Sequence, residues 1–358
     1  MTGHDIVVVG FSAGGIDPLQ QLVAGLPADF PASIFVVHHF PAMSVSVLPD
    51  ILGRAGSLPA SQPEDGEHFK PGHIYVARPD YHLLLRAKHV RLTRGPKEQG
   101  HRPAVDPLFR TAAREFGPRV IGVILSGTLD DGSAGLVAIK DAGGLAVVQD
   151  PSDAAYPGMP LNALQHVKVD HVASAAELGK VLDRLARLPA PPAPAQGGIP
   201  RFDEIDPADP EPAVVGTAGL RATPPPGQPS SIVCPDCGGV LWESQSGDLL
   251  HFRCHVGHAY SAETLLAKQS TALEGALWTA IRALEEKADI ARRLADRSRH
   301  RGMKRALGQF ENVAMEAERG SNVIRESLLK GAVRTAIEEP AELDLDNAVD
   351  LLSGTDAR

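Results

Sequence analysis

Cysteine is scarce in this 358-residue chain: there are three, all between positions 234 and 254. An odd, clustered set argues against a disulfide framework and for metal ligation in a reducing compartment. Positive charge is also short, with 35 Lys and Arg against 44 Asp and Glu and a net charge of −9. Phosphate contacts need a basic surface, so a general nucleic-acid binder is disfavoured. No apolar run reaches the roughly 18 residues of a membrane span, so no membrane insertion is expected. The opening MTGHDIVVVG lacks the basic start, long apolar stretch and small-residue cleavage site of a signal peptide. A cytoplasmic location is expected.

Aromatic residues make up only 4% of the chain, but its 43% hydrophobic and 22% charged residues are those of a soluble globular protein. The length suggests about two or three domains. Residues 5–10, 33–38, 120–127 and 145–149 are short, continuous apolar runs, as in strands covered on both faces. Helix-length segments at 15–25, 104–116 and 132–142 separate them. The alternation predicts an α/β domain over 1–187, a doubly wound, mostly parallel, Rossmann-like sheet. The runs HIYVA, HLLLRA and HVRLTR within 73–94 read as a small antiparallel insert.

Residues 188–230 change character. The stretch from Pro189 to Pro229 holds 12 of the 30 prolines and reads as an extended, poorly ordered linker. Residues 231–261 form a compact cysteine and histidine module. Cys234 and Cys237 sit two residues apart beside two glycines, and Cys254 and His258 follow with a gap that lets both reach one ion. Cys234, Cys237, Cys254 and His258 make a tetrahedral Cys₃His zinc set, with His255 as the alternative fourth ligand. All four positions are filled by protein, so the zinc is expected to be structural. A ribbon of about 30 residues has too little core to fold without such a staple. Residues 262–335 carry apolar positions at helical spacing and read as a helical hairpin or dimerisation arm, with Gly302 and Gly308 as turn candidates. Residues 336–358 read as an acidic tail.

The segment IVVVGFSAGGIDPL joins the first apolar run to a glycine-rich turn. Gly10-Phe11-Ser12-Ala13-Gly14 fits a nucleophile elbow, glycine–x–serine–x–glycine. The same place in a doubly wound fold holds phosphates, and the free amides of a following helix suit either an oxyanion or a phosphate. The turn alone leaves both readings open. The second run ends in His38 and His39, and the third sheet strand leads to Asp130 and Asp131. Ligands bind at such strand ends. A serine, a histidine pair and an aspartate pair thus converge on one sheet edge. Separately, a histidine there is ordinary, and an aspartate can simply cap the next helix.

The segments VGFSAGG, VVHHFPAMS, PEDGEHFKPGHIYVARPDYHL, HRPAVDPLF, GVILSGTLDDGSAGL and YPGMPLNAL resemble, in order, the motifs of CheB-type protein-glutamate methylesterases over residues 5–185. The resemblance implies a serine hydrolase with Ser12 as nucleophile, His39 as base and Asp131 as the orienting acid. It implies demethylation of glutamate 5-O-methyl esters, and deamidation of glutamines, on methyl-accepting chemoreceptors or related signalling proteins. No cofactor is needed for that reaction. The Ala13 amide is the first oxyanion donor, with the Gly127–Leu129 turn around Thr128 as a second. Arg102 and Asp106 shape the cleft, or Asp106 belongs to the helix entry and Arg102 pairs with a nearby carboxylate; Met159 is a cleft wall or plain core. The sequence departs from the family pattern at Ala13, where threonine is usual, and at Gly127-Thr128-Leu129, where glycine–methionine–glycine is usual. It also starts its catalytic segment within ten residues, so control by a receiver domain in cis is not expected, and a separate response regulator or sensor kinase is the implied partner. The alternative is a non-catalytic signalling scaffold that recruits partners through the zinc and helical module; separately, the C-terminal helices are candidates for a homodimer contact.

Overall fold

A computed structural model describes residues 3–39, 46–192, 227–246 and 248–330. Most of the expected linker and the whole acidic tail lie outside the described residues. The chain divides into two units, Met1–Leu265 and Leu266–Arg358.

In chain order the first unit holds β1 (Ile6–Phe11), α1 (Ile16–Ala24), β2 (Ser33–His38), α2 (Leu48–Ala55), β3 (Ala60–Ser61), β4 (Ile74–Val76), β5 (His82–Arg86) and β6 (His89–Thr93). There follow α3 (Val105–Phe116), β7 (Val120–Ile124), α4 (Ser133–Asp141), β8 (Leu145–Gln149), α5 (Gly158–His166), β9 (His171–Ala173) and α6 (Ala175–Arg187). The main sheet has seven strands in the order β3-β4-β2-β1-β7-β8-β9, all parallel. The chain leaves β1 for β2 on one side and later returns to β7 on the other, so the reversal lies between β1 and β7. Crevices at such reversals are where open parallel sheets bind ligands.

Side-chain alternation explains why β1 is apolar throughout. Ile6 and Val8 point into a core shared with Leu108 and Phe109 of α3 and Leu136 of α4. Val7 and Val9 point into the opposite core with Leu19 and Leu22 of α1, Leu52 of α2 and Leu178 of α6. Helices cover both faces, so no position on the strand can be polar.

The region 73–94 differs from its sequence reading. Ile74–Val76 pairs parallel with β2 and joins the main sheet. Only β5 and β6 form the antiparallel pair. Ile74, Tyr75 and Val76 are all buried, which is the mark of an internal strand rather than a hairpin arm.

The first unit also contains the ribbon. Its strands β10 (Gln228–Val233), β11 (Val240–Ser246), β12 (Leu249–Cys254) and β13 (Ala259–Ser261) form an antiparallel sheet in chain order. Gln228–Val233 begins within the segment read as linker. The ribbon core is small: Leu241, Phe252, Tyr260 and Leu265 with Cys234 and Cys254.

Helix α7 (Ala262–His300) starts in the first unit, and most of it belongs to the second, with α8 (Lys304–Leu329). Gly302, at φ +71°, turns the chain between them; Gly308 lies inside α8. Ala288, Ala291 and Ala295 of α7 and Ala314 and Ala317 of α8 are buried. Small residues let two helices approach closely, and Arg299–Glu311 at 2.9 Å ties them near the turn.

Candidate active site and metal centre

The ends of β1, β2 and β7 bring three side chains into one line. His39 Nδ1 lies 3.1 Å from Ser12 Oγ, and His39 Nε2 lies 2.7 Å from Asp131 Oδ2. A base held between a hydroxyl and a carboxylate can take the hydroxyl proton and carry the resulting charge. The imidazole presents Nδ1 to the serine and Nε2 to the acid, the reverse of the serine-protease arrangement.

The backbone fixes the serine. Ser12 N–H donates to the Ser126 carbonyl at 3.0 Å, tying the turn after β1 to the turn after β7. Gly127 fills the space beside it: a Cβ there would stand 2.1 Å from Met159 Sδ and 3.1 Å from Ser12 Cβ. Met159 is fully buried behind this glycine, while Thr128 is exposed. Leu129 adopts φ +60°, a left-handed conformation that costs a non-glycine residue about 1 kcal/mol or more. Among the described residues the Ala13 and Thr128 amides have no acceptor, so both remain available to an oxyanion.

Asp131 is held by the start of α3. Val105 N–H donates to Oδ2 at 2.8 Å and Asp106 N–H to Oδ1 at 3.1 Å. Helix-terminal amides and the positive end of the helix dipole favour a carboxylate there. Asp106 returns the contact: its Oδ1 accepts from Gly132 and Gly135 at the start of α4, at 3.1 and 2.7 Å. Each aspartate therefore caps the other's helix, and Asp131 does not cap its own. Burial pushes both carboxyls up, and Asp131 pushes Asp106 further. Hydrogen bonds from Val105 and Asp106 oppose the rise at Asp131, which we take as the ionised member facing His39. Asp130 beside it is raised to about 6, chiefly by burial.

His38 points elsewhere. Its ring stacks on Phe11, with centroids 4.6 Å apart, and burial, then the neighbouring His39, lowers it to about 4. His39 stacks instead on His101, with centroids 3.9 Å apart and planes within 5°. Arg102 is engaged with Asp80 through Nε at 3.0 Å and with the Gly95 carbonyl at 2.8 Å. Asp106 does stand at the helix entry that its sequence position suggests, but its cap of α4 and the stacking of His101 carry no sequence signal, because both depend on distant loops meeting.

The ribbon gathers Cys234, Cys237, Cys254 and His258, with all four ligand atoms within 4.8 Å of one another. Cys237 and Cys254 sulfurs are 3.7 Å apart, and His258 Nδ1 is 3.6 Å from Cys234 Sγ and from Cys254 Sγ. Ligands at the bond lengths of a tetrahedral zinc site would stand about 3.8 Å (S to S) and about 3.5 Å (S to N) apart. The group can hold a metal ion, with His258 rather than His255 as its nitrogen donor. Tyr260 supports it from behind, donating to Asp236 at 2.6 Å with its hydroxyl 3.5 Å from Cys234 Sγ.

A doubly wound sheet with a serine, histidine and aspartate at its switch point defines a serine-hydrolase class of site. The chain belongs to the CheB methylesterase family, whose profile matches residues 7–182. A Leptospira interrogans relative, named provisionally as a protein-glutamate methylesterase/protein-glutamine glutaminase, is 38% identical over 183 residues, 51% of this chain and 95% of its own. Protein-glutamate methylesterase/protein-glutamine glutaminase 1 of Geobacter metallireducens is 36% identical over 49% of this chain and 50% of its own length. The catalytic domain of the Thermotoga maritima CheB methylesterase superposes with a TM-score of 0.50 at 34% identity, covering 52% of this chain and all of that domain. No helix among the described residues is long and apolar enough to cross a membrane.

Proposed function

We propose that this protein hydrolyses glutamate γ-methyl esters on chemoreceptors or related signalling proteins through Ser12, His39 and Asp131. The supporting observation is the unbroken hydrogen-bond chain from Ser12 Oγ through His39 to Asp131. Ser12 Oγ attacks the ester carbonyl carbon as its proton passes to His39 Nδ1. Asp131 holds the Nε2 proton and balances the imidazolium charge. The carbonyl oxygen becomes an oxyanion, which the Ala13 amide, with the Thr128 amide as second donor, stabilises; one such donor is worth roughly 3–4 kcal/mol. The ester C–O bond breaks, His39 gives its proton to the departing oxygen, and methanol leaves. Water, deprotonated by His39, then attacks the acyl-serine and frees the glutamate. With a glutamine substrate the same steps release ammonia. Arg102 fixes the cleft rim through Asp80, whereas Met159, fully buried behind Gly127, packs as core and does not line the cleft.

The cysteine group is proposed to hold a structural zinc. Three thiolates and an imidazole fill a tetrahedral shell, so zinc there supplies folding energy and no reactive site.

The test is methanol release from a methylated receptor fragment by the wild-type chain and by Ser12→Ala. Loss of release with an unchanged melting curve is the expected result. Release that persists in the variant refutes the nucleophile. A folded wild type that releases none supports the scaffold alternative.

A further inference from the structure

The ribbon does not hang from the catalytic unit. It is bonded into the loops around the active site. Glu98 and His101 face each other across a tight turn, Glu98 N to His101 O at 3.2 Å and His101 N to Glu98 O at 2.8 Å. The two residues between them, Gln99 and Gly100, have φ of +52° and +75°, the signature of a type I′ turn. Glutamine is an unfavourable occupant of that conformation. The ribbon holds it there. Gln99 N–H donates to the Ala259 carbonyl at 2.8 Å, and Ala259 N–H donates to the Lys97 carbonyl at 3.3 Å. Gln99 Oε1 accepts from Ser261 N–H at 2.9 Å, and its Nε2 donates to Asp106 at 3.3 Å. Beside it, the buried Glu98 pairs with Arg110 of α3 through both oxygens at 2.9 Å and with Arg253 of the ribbon at 3.7 Å. This turn delivers His101 to the face of His39.

A second set of bonds reaches the other end of the site. Asp130 is buried, and its Oδ1 accepts from Ser261 Oγ at 2.8 Å and Thr264 Oγ1 at 3.0 Å. Both hydroxyls come from the end of the ribbon and the first turn of α7. Their acceptor is the residue next to Asp131.

We propose that the ribbon is a positioning element of the hydrolase site: it clamps the Glu98–His101 turn so that His101 stacks on His39, and it anchors the Asp130–Asp131 turn through Ser261 and Thr264. The proposal rests on the hydrolase reading of Ser12, His39 and Asp131. His101 is a positioning residue, since it touches His39 and not the reacting bond. A flat ring against the imidazole limits its rotation, so both nitrogens stay aimed at their partners. Loss of such a stack corresponds to about a twofold to tenfold change in rate.

The test uses the full chain with His101→Ala, His101→Phe and the double variant Ser261→Ala/Thr264→Ala. Two readouts are taken: methanol release, resolved into kcat and KM, and the rate at which a fluorophosphonate labels Ser12. In the labelling step Ser12 Oγ bonds to phosphorus, fluoride leaves, and the hydroxyl proton goes to His39. His101→Ala is expected to lower kcat and the labelling rate about threefold to tenfold with KM unchanged. His101→Phe, which keeps a flat ring, is expected to stay within about twofold of wild type. The double variant is expected to lower both rates at least threefold while melting cooperatively. Wild-type rates in His101→Ala or in the double variant overturn the proposal, as does a His101→Phe variant as slow as His101→Ala. If wild type labels at Ser12 but releases no methanol, the substrate assignment fails and the labelling rates still decide the brace. If Ser12 does not label at all, both fail.

Discussion

Replacing Asp131 with asparagine tests the charge at the end of the hydrogen-bond chain. Asp131 has donors on both oxygens: His39 and Val105 on Oδ2 at 2.7 and 2.8 Å, and Asp106 on Oδ1 at 3.1 Å. Asparagine offers one acceptor oxygen. Placed at the Oδ2 position, that oxygen satisfies two donors and turns its NH₂ toward the Asp106 amide. Flipped, it satisfies one donor and confronts two. The first placement wins by about one hydrogen bond, roughly 1 kcal/mol. There His39 keeps its proton on Nε2 and Nδ1 remains a base. The loss is then the missing negative charge beside the imidazolium of the transition state, about 2–4 kcal/mol at such a site. That corresponds to a fall in kcat of roughly 30- to 1000-fold. Where the substitution forces the wrong tautomer, the template serine-protease case, the fall is about 10⁴-fold. Stability is expected to move little, because the unsatisfied Asp106 amide costs about what relief of repulsion among Asp106, Asp130 and Asp131 returns. Methanol release and a thermal melt on the same sample provide the assay. Activity within threefold of wild type would refute the role of the Asp131 charge. A 10⁴-fold loss would show that the amide sits flipped and the tautomer is lost.

Three further outcomes follow from the same geometry. Burial holds Asp130 at about 6, above its ordinary 3.8. Between those values the folded state binds more protons than the unfolded, so stability falls as pH rises through about 4 to 6. Asp130→Asn keeps an acceptor for Ser261 and Thr264, removes that fall, and should add about 1–3 kcal/mol at pH 7; melts at pH 4.5 and 7 check it, and an unchanged pH slope counts against it. His39→Gln should lower kcat at least 10³-fold and His38→Gln less than tenfold, since only His39 reaches Ser12 and Asp131; equal losses in methanol release would place the base elsewhere. Elemental analysis should find about one zinc per chain, absent in Cys234→Ser, with the ribbon's protection from hydrogen exchange lost along with it; a protected ribbon without zinc would refute the staple.

Much of the catalytic unit can be read directly from residue order. The strands that flank the site are continuous apolar runs because helices cover them on both faces, and β1 shows this in six buried positions. Helices α1, α3 and α4 start and stop within about two residues of the segments 15–25, 104–116 and 132–142 that separate the apolar runs. Ser12, the His38–His39 pair and the Asp130–Asp131 pair can be singled out because each stands just beyond an apolar run, where a parallel sheet presents its ligands, and the resemblance to the methylesterase motifs picks His39 and Asp131 from the pairs. The strand Ile74–Val76 escapes such reading. It has three residues, and its parallel pairing with β2 depends on a chain that returns across the sheet. The mutual capping of α3 and α4 by Asp131 and Asp106 escapes for a similar reason: a capping signal in sequence is local, and here each cap comes from the other helix.

The sequence by itself determined the parallel sheet, a serine, a histidine pair and an aspartate pair at its edge, and a cysteine and histidine cluster suited to a metal, with His255 or His258 as its nitrogen donor. Apolar periodicity and short ligand spacings are local, and they survive without knowledge of the fold. Only the tertiary structure decided which aspartate oxygen meets which amide, that His101 lies on His39, and that Ala259, Ser261 and Thr264 return to the active-site loops. More than 120 positions separate Ser261 from Asp130. Contacts across such a distance are set by how two surfaces pack, and packing leaves no periodic trace in the chain.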